Sequence, residues 1–109
     1  MSAYIVAHMR EVTMGQPIVE YLERIDATLE PFGGRFIVHG SDAEVLEGDW
    51  PGFLIAIEFP DYGQARAWYD SDAYREILPL RTGNSRSDII VVDGVDRDHR
   101  ATDVLAASR

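Results

Sequence analysis

A split β-α-β arrangement of the α+β class, with two helical regions against one antiparallel sheet, is predicted by three features of this 109-residue chain. Apolar residues Ile18, Leu22, Ile25, Leu29 and Phe32 recur at alternating steps of four and three, the period of one helix face. Gly33-Gly34 stops that stripe, and the β-forming run Arg35-Phe36-Ile37-Val38-His39 follows at once. Further β-rich runs and a second helical region then complete the pattern.

Ala3 to Val12 has no breaker and reads as the first strand. Gln16-Pro17 opens the first helix, because proline in a first turn loses no hydrogen bond. The glycine pair ends it with a left-handed cap. The second strand runs from Arg35 towards Leu46, with an irregularity at Gly40-Ser41-Asp42, and Gly48 to Gly52 loops into a third strand over Phe53 to Phe59. Asp61 and Gln64 form a capping pair that launches a short helix carrying Ala65, Trp68 and Tyr69. Ser71 caps another, carrying Tyr74, Ile77 and Leu78, which Pro79 is expected to break. A polar stretch, Thr82 to Ser87, precedes the last strand, Asp88 to Asp93. One domain over residues 1–95 and a loosely ordered tail over 96–109 are therefore expected.

The order β-α-β-β-α-β is met most simply by a ferredoxin-like sheet of strand order 4-1-3-2 with both helical regions on one face. Counting alternate residues assigns Ile5, Ala7, Met9, Phe36, Val38, Phe53, Ile55, Ile57, Phe59, Ile89 and Val91 to the helix side. The other side mixes Val6, Ile37, Leu54, Ile90 and Val92 with Tyr4, His8, Arg10, Arg35, His39, Glu58 and Asp88. A monomer would leave that mixed face bare, so a homodimer is predicted, two sheets closing face to face into a barrel. An irregularity near Gly40 would swap the side-chain parity locally.

Nineteen acidic against ten basic residues give a formal net charge of −9, which disfavours nucleic-acid and membrane-surface partners. Every basic residue is arginine, so lysine Schiff-base chemistry is excluded. The chain has no cysteine, which removes thiol nucleophiles, disulfides and thiolate metal sites. Gly33-Gly34 follows a helix instead of opening one, the wrong side for a phosphate cradle, and no serine stands in a nucleophile elbow. The N-terminus meets Arg10 too early for a signal sequence, and no apolar run is long enough to span a membrane, so a cytoplasmic protein is expected.

The ordered series Gly33-Gly34-Arg35-Phe36, Val45-Leu46-Glu47-Gly48 with Trp50, Glu58-Phe59-Pro60, Ala67-Trp68-Tyr69 with Ser71 and Tyr74, Arg81, and Ser87-Asp88-Ile89 with Val91-Val92 and Gly94 resembles the bacterial family called domain of unknown function 1330. The resemblance covers roughly residues 3 to 95. It implies a dimeric α+β barrel of the ferredoxin-like type. That superfamily also holds muconolactone isomerases, cofactor-free quinone-forming monooxygenases and small stress-responsive proteins. It implies no activity, since fold does not fix function. Where the family pattern carries an arginine on the second strand this chain has His39, which argues for proton transfer there over anion binding.

His39 is the candidate acid/base, because imidazole titrates near neutral pH; its plainer role is a hydrogen-bonded interface histidine. Glu58, on the neighbouring strand, is placed to orient His39 or to neutralise Arg35. Arg10 beside Asp88 reads as a structural ion pair. Trp50, Trp68, Tyr69 and Tyr74 are candidates to line an aromatic pocket between the second helical region and the sheet, or simply to pack the core. Arg81 is placed to clamp a substrate carboxylate or to compensate a helix end. His8, His39, Glu58 and Asp88 lack ligand spacing, so no metal and no cofactor are expected. Two functions follow. One is a cofactor-independent enzyme moving protons on a small metabolite as an isomerase, cyclase, lyase or oxygenase. His39 would be its acid/base, Glu58 the orienter, Arg35 or Arg81 the anion partner, and Trp68 with Tyr69 the wall. The alternative is a non-catalytic dimer that binds a small ligand or a protein.

Overall fold

The computed structural model describes residues 1–107. Strand β1 (Ala3–Val12) lies inside the sheet, and its alternation buries Ala3, Ile5, Ala7 and Met9 on one side. It pairs antiparallel with β3 (Phe53–Phe59) through Ile5 opposite Ile57 and with β4 (Ser85–Asp93) through Ile5 opposite Val91. Strand β2 (Arg35–His39) joins the far edge of β3, giving the order β2-β3-β1-β4. This is the predicted ferredoxin-like topology read from the other edge.

Helix α1 (Gln16–Leu29) starts with Pro17 in its first turn and passes through a 3-10 turn at Glu30–Phe32 into Gly33, whose φ of 71° is the expected left-handed cap. Its buried stripe is Ile18, Tyr21, Ile25, Thr28 and Leu29, whereas Leu22 is 42% exposed. The apolar spacing located the helix, but the face turned towards the sheet is rotated so that a tyrosine takes the place expected for Leu22. Helix α2 (Tyr62–Asp70) is capped by Asp61, whose Oδ1 accepts from the Gln64 amide at 2.8 Å. Helix α3 (Asp72–Thr82) is capped by Ser71 and does not stop at Pro79. Proline removes one donor, but only three residues follow it. Their carbonyl ends are satisfied by Gly83 N–H to Pro79 O at 2.9 Å and by the Asn84 side chain to Leu80 O at 2.9 Å. The extra turn is what delivers Arg81 to the interior.

Strand β4 begins three residues earlier than predicted, because β1 bulges between Met9 and Glu11 and continues to pair through Val12 opposite Ser85. Strand β2, by contrast, ends at His39 instead of running towards Leu46, since Gly40 turns the chain away with a φ of 78°. A bulge within β2 has larger consequences. Phe36 faces Ile57, yet Val38 faces Ala56 and His39 faces Ile55, so the parity predicted for Val38 and His39 is reversed. Val38 joins the outer face and His39 joins the helix side.

The loop after Gly40 folds back over the outer face. The Trp50 ring stacks on His8 at 4.0 Å, and a His8 ring nitrogen meets the Pro51 carbonyl at 2.7 Å. Gly52 makes this possible: its φ is 79°, and a Cβ there would overlap the Met9 carbonyl oxygen. Gly52→Ala is expected to cost about 2 kcal/mol in a urea melt, from backbone strain and displacement of β1. A loss below about 0.5 kcal/mol would mean that the loop lifts off β1 freely.

Beyond β4, within the stretch expected to be a loosely ordered tail, the chain carries a short helix, α4 (Asp103–Ala107). Val104 and Leu105 on it remain exposed. The last two residues of that predicted tail lie outside the described residues. Among the described residues no helix is long and apolar enough to cross a membrane.

Candidate functional site: a cavity between sheet and helices

Across the helix side of the sheet, one row runs His39, Ile55, Ala7, Ile89 from edge to edge. The small side chain of Ala7 in the middle of this row leaves space beneath α1 and α3. The result is a cavity of about 290 Å³. Ile5, Ile55 and Ile57 form its floor, with Ile18, Ile25 and Trp68 opposite. Exposed Met14 and Leu22 stand at its margin.

Polar groups gather towards the β4 side. Arg81 is only 6% exposed, and its Nη1 donates to Ser87 Oγ at 2.8 Å while Nε points at the Tyr74 hydroxyl at 3.4 Å. Tyr74 and Tyr21 share a hydrogen bond of 2.7 Å between their hydroxyls. Ser85 Oγ donates to the Arg81 carbonyl, fixing the end of α3 against β4. Burial, and then the neighbouring Tyr74, push the Tyr21 pKa upward, against a smaller opposing pull from Arg81; the phenol therefore stays neutral. For Arg81 burial works against the charge, but the Tyr74 and Tyr21 oxygens outweigh it and the net shift is upward. Among the described residues no carboxylate forms an ion pair with Arg81. An interior cation with only hydroxyl partners is unusual, because buried charges are normally neutralised.

Trp68 seals the cavity from above. Its ring lies 4.1 Å from Tyr74 and 5.5 Å from Phe59, and its Nε1 donates to Thr28 Oγ1 at 3.0 Å. Tyr69 borders the same space, with the Arg75 guanidinium 5.0 Å from its ring centre on the other side. His39 lines the opposite edge, where its ring stacks on Phe36 at 4.2 Å.

Four of the predicted site residues, His39, Trp68, Tyr69 and Arg81, thus border one cavity. The other two do not. Glu58 and Arg35 sit opposite each other on the outer face, joined at 3.0 Å, with the Tyr4 hydroxyl 3.4 Å from Glu58. The predicted His39–Glu58 pair is therefore not formed, because the β2 bulge turns the two side chains to opposite faces. Trp50 is likewise absent from the cavity, held on the outer face by His8. Arg10 and Asp88 form the expected ion pair at 2.8 Å. Sequence reasoning missed Tyr21 and Ser87. Tyr21 was visible as a polar-tipped residue three after Ile18 and four before Ile25, within the helical stripe. Among the described residues no three His, Asp or Glu side chains converge as a metal site.

Solved structures share this architecture at low sequence identity. The RPA0582 protein of unknown function from Rhodopseudomonas palustris is 15% identical, with a TM-score of 0.67 over 87% of this chain and 83% of that one. A dimeric ferredoxin-like protein of unknown function from Jannaschia sp. CCS1 is 10% identical, with a TM-score of 0.66 over 86% of this chain and 100% of that one. SnoaB, a cofactor-independent oxygenase from Streptomyces nogalater, is 13% identical, with a TM-score of 0.59 over 91% of this chain and 98% of that one. These likenesses carry the ferredoxin-like fold and nothing of the chemistry. No curated protein matches the chain. The family called Domain of unknown function (DUF1330) matches residues 2–95, nearly the whole folded unit, and the chain belongs to that family.

Proposed function

We propose that the protein is a homodimeric, cofactor-independent enzyme that moves a proton on a small, largely apolar metabolite held between sheet and helices. The observation that carries this is the β2 bulge, which turns the one titratable imidazole of that strand towards the cavity. His39 is the acid/base, Trp68 and Tyr69 are the walls, and Arg81 is the polar anchor at the far side. Glu58 and Arg35 act as a structural pair on the outer face. An oxygenase that works without a cofactor exists on the same fold in SnoaB, which makes the reaction class reasonable without assigning it.

The experiment is to add indole, a small arene, and follow the side-chain NMR signals of His39 and Trp68. Both are expected to shift together and saturate at one site. Shifts confined to His8 and Trp50 would place binding on the outer face and end the proposal. One observation favours the non-catalytic alternative: the His39 ring rests on Phe36, and among the described residues no carboxylate bonds to it, Glu58 being engaged by Arg35.

Dimerisation is argued from the outer face, where Ile90 is 54% exposed beside Val92, Val6 and Leu54. The Jannaschia protein is dimeric. Light scattering at micromolar concentration is expected to give twice the chain mass, and Ile90→Glu to give a folded monomer, because two symmetry-related carboxylates would be buried together. A wild-type monomer, or an Ile90→Glu dimer, would contradict the assignment.

A further inference from the structure

The polar end of the cavity holds more hydrogen-bond donors than acceptors. Arg81 can only donate, and two of its five N–H groups are taken up, by Tyr74 and Ser87. The Tyr21 oxygen also draws on the guanidinium, and among the described residues no carboxylate is paired with it. Tyr21 and Tyr74 contribute two hydroxyl hydrogens, of which one bridges the pair. Either hydroxyl has the geometry to donate in that bridge; the Arg81 N–H on the Tyr74 oxygen polarises Tyr74 into the stronger donor, which leaves the Tyr21 hydrogen over. Tyr21 and Arg81 both border the cavity. Among the described residues no carboxylate forms an ion pair within this cluster; Glu11 and Asp88 pair instead with Arg86 and Arg10.

We propose that this end of the cavity is an oxyanion receptor: an apolar ligand binds with a negatively charged oxygen group that carries no hydrogen, accepting from the Tyr21 hydroxyl and the Arg81 guanidinium. The ligand class is an arene or short apolar chain ending in a carboxylate or a phenolate-like oxygen. A ligand bringing its own donors, such as a primary amide, would add hydrogens to a place that already has too many. The neutral state of Tyr21, favoured by its burial, keeps it a donor at physiological pH. Arg81 also borders a polar groove beside Arg10 and Ser85. Tyr21 is thereby assigned a direct ligand contact. This inference rests on the cavity being the ligand site.

Calorimetric titration with 2-naphthoate, 2-naphthamide and naphthalene tests it, with Trp68 fluorescence reporting occupancy. On the unmodified protein, naphthoate is expected to bind at least tenfold tighter than the other two, the worth of charge-assisted hydrogen bonds. Tyr21→Phe should weaken naphthoate about tenfold and leave naphthalene unchanged. Equal affinities for the three probes would overturn the oxyanion receptor while leaving the cavity as the ligand site. Tighter naphthoate binding that Tyr21→Phe does not alter would overturn the role of Tyr21. No change in Trp68 emission with any probe would remove the cavity reading, and the receptor with it.

Discussion

Trp68→Ala is expected to destabilise the fold by about 3 to 5 kcal/mol in a urea melt, the range for removing a large buried aromatic. The indole is 2% exposed and packs between Phe59 and Tyr74. It lies directly above a space that is already empty, so the volume it vacates would merge with the cavity and little could collapse to refill it. Its Nε1 also holds Thr28, but Thr28 keeps its own bond to the Ile25 carbonyl at 2.6 Å when the indole goes. Trp68→Phe should therefore cost only about 1 to 2 kcal/mol, since the ring plane is kept and one hydrogen bond is lost without stranding a buried donor. An alanine variant losing less than about 1 kcal/mol would show that α2 is not anchored through this side chain.

How much of this was legible in the sequence depends on whether a feature obeys a period. Strand β1 alternates without interruption from Ala3 to Met9, and its range was read correctly because Ile5, Ala7 and Met9 keep a strict two-residue step ahead of the bulge. The α1 stripe located the helix, but a helical stripe fixes a face only to within about one side chain, and Tyr21 came inside while Leu22 moved to the margin. His39 was placed on the wrong face because parity counting presumes an unbroken ladder. The run Arg35-Phe36-Ile37-Val38-His39 contains no glycine or proline to mark its bulge. The Arg35–Glu58 pairing survived, since it lies on the near side of that bulge. Pro79 misled for a related reason: the local rule against proline applies to helix interiors, but Pro79 stands only three residues from the end of α3, where Gly83 and Asn84 satisfy the neighbouring carbonyls. The Tyr21–Tyr74–Arg81 cluster was out of reach because its members come from α1 and α3, whose contact is set by the sheet beneath them.

His39→Asn is expected to lower proton-transfer turnover by about a hundredfold or more, the usual worth of a positioned acid or base, with little change in melting temperature. Stability should hold because His39 is exposed, is not hydrogen-bonded to any described residue, and stacks its ring on Phe36. A measurable form of the chemistry is deuterium exchange at the carbon next to the carbonyl of phenylpyruvate, followed by proton NMR. This probe offers a carboxylate for the Arg81 end, an aromatic body for the apolar floor, and an acidic C–H. His39 and Arg81 both border the cavity that would hold it. Wild-type exchange well above the buffer rate, lost in His39→Asn while Trp68 fluorescence still reports binding, is the expected pattern. Equal exchange in both proteins would remove His39 as the base. Exchange no faster than buffer across a panel of aryl and alkyl 2-oxo acids, with binding intact, would favour the non-catalytic alternative, a cavity that holds its ligand and leaves it unchanged.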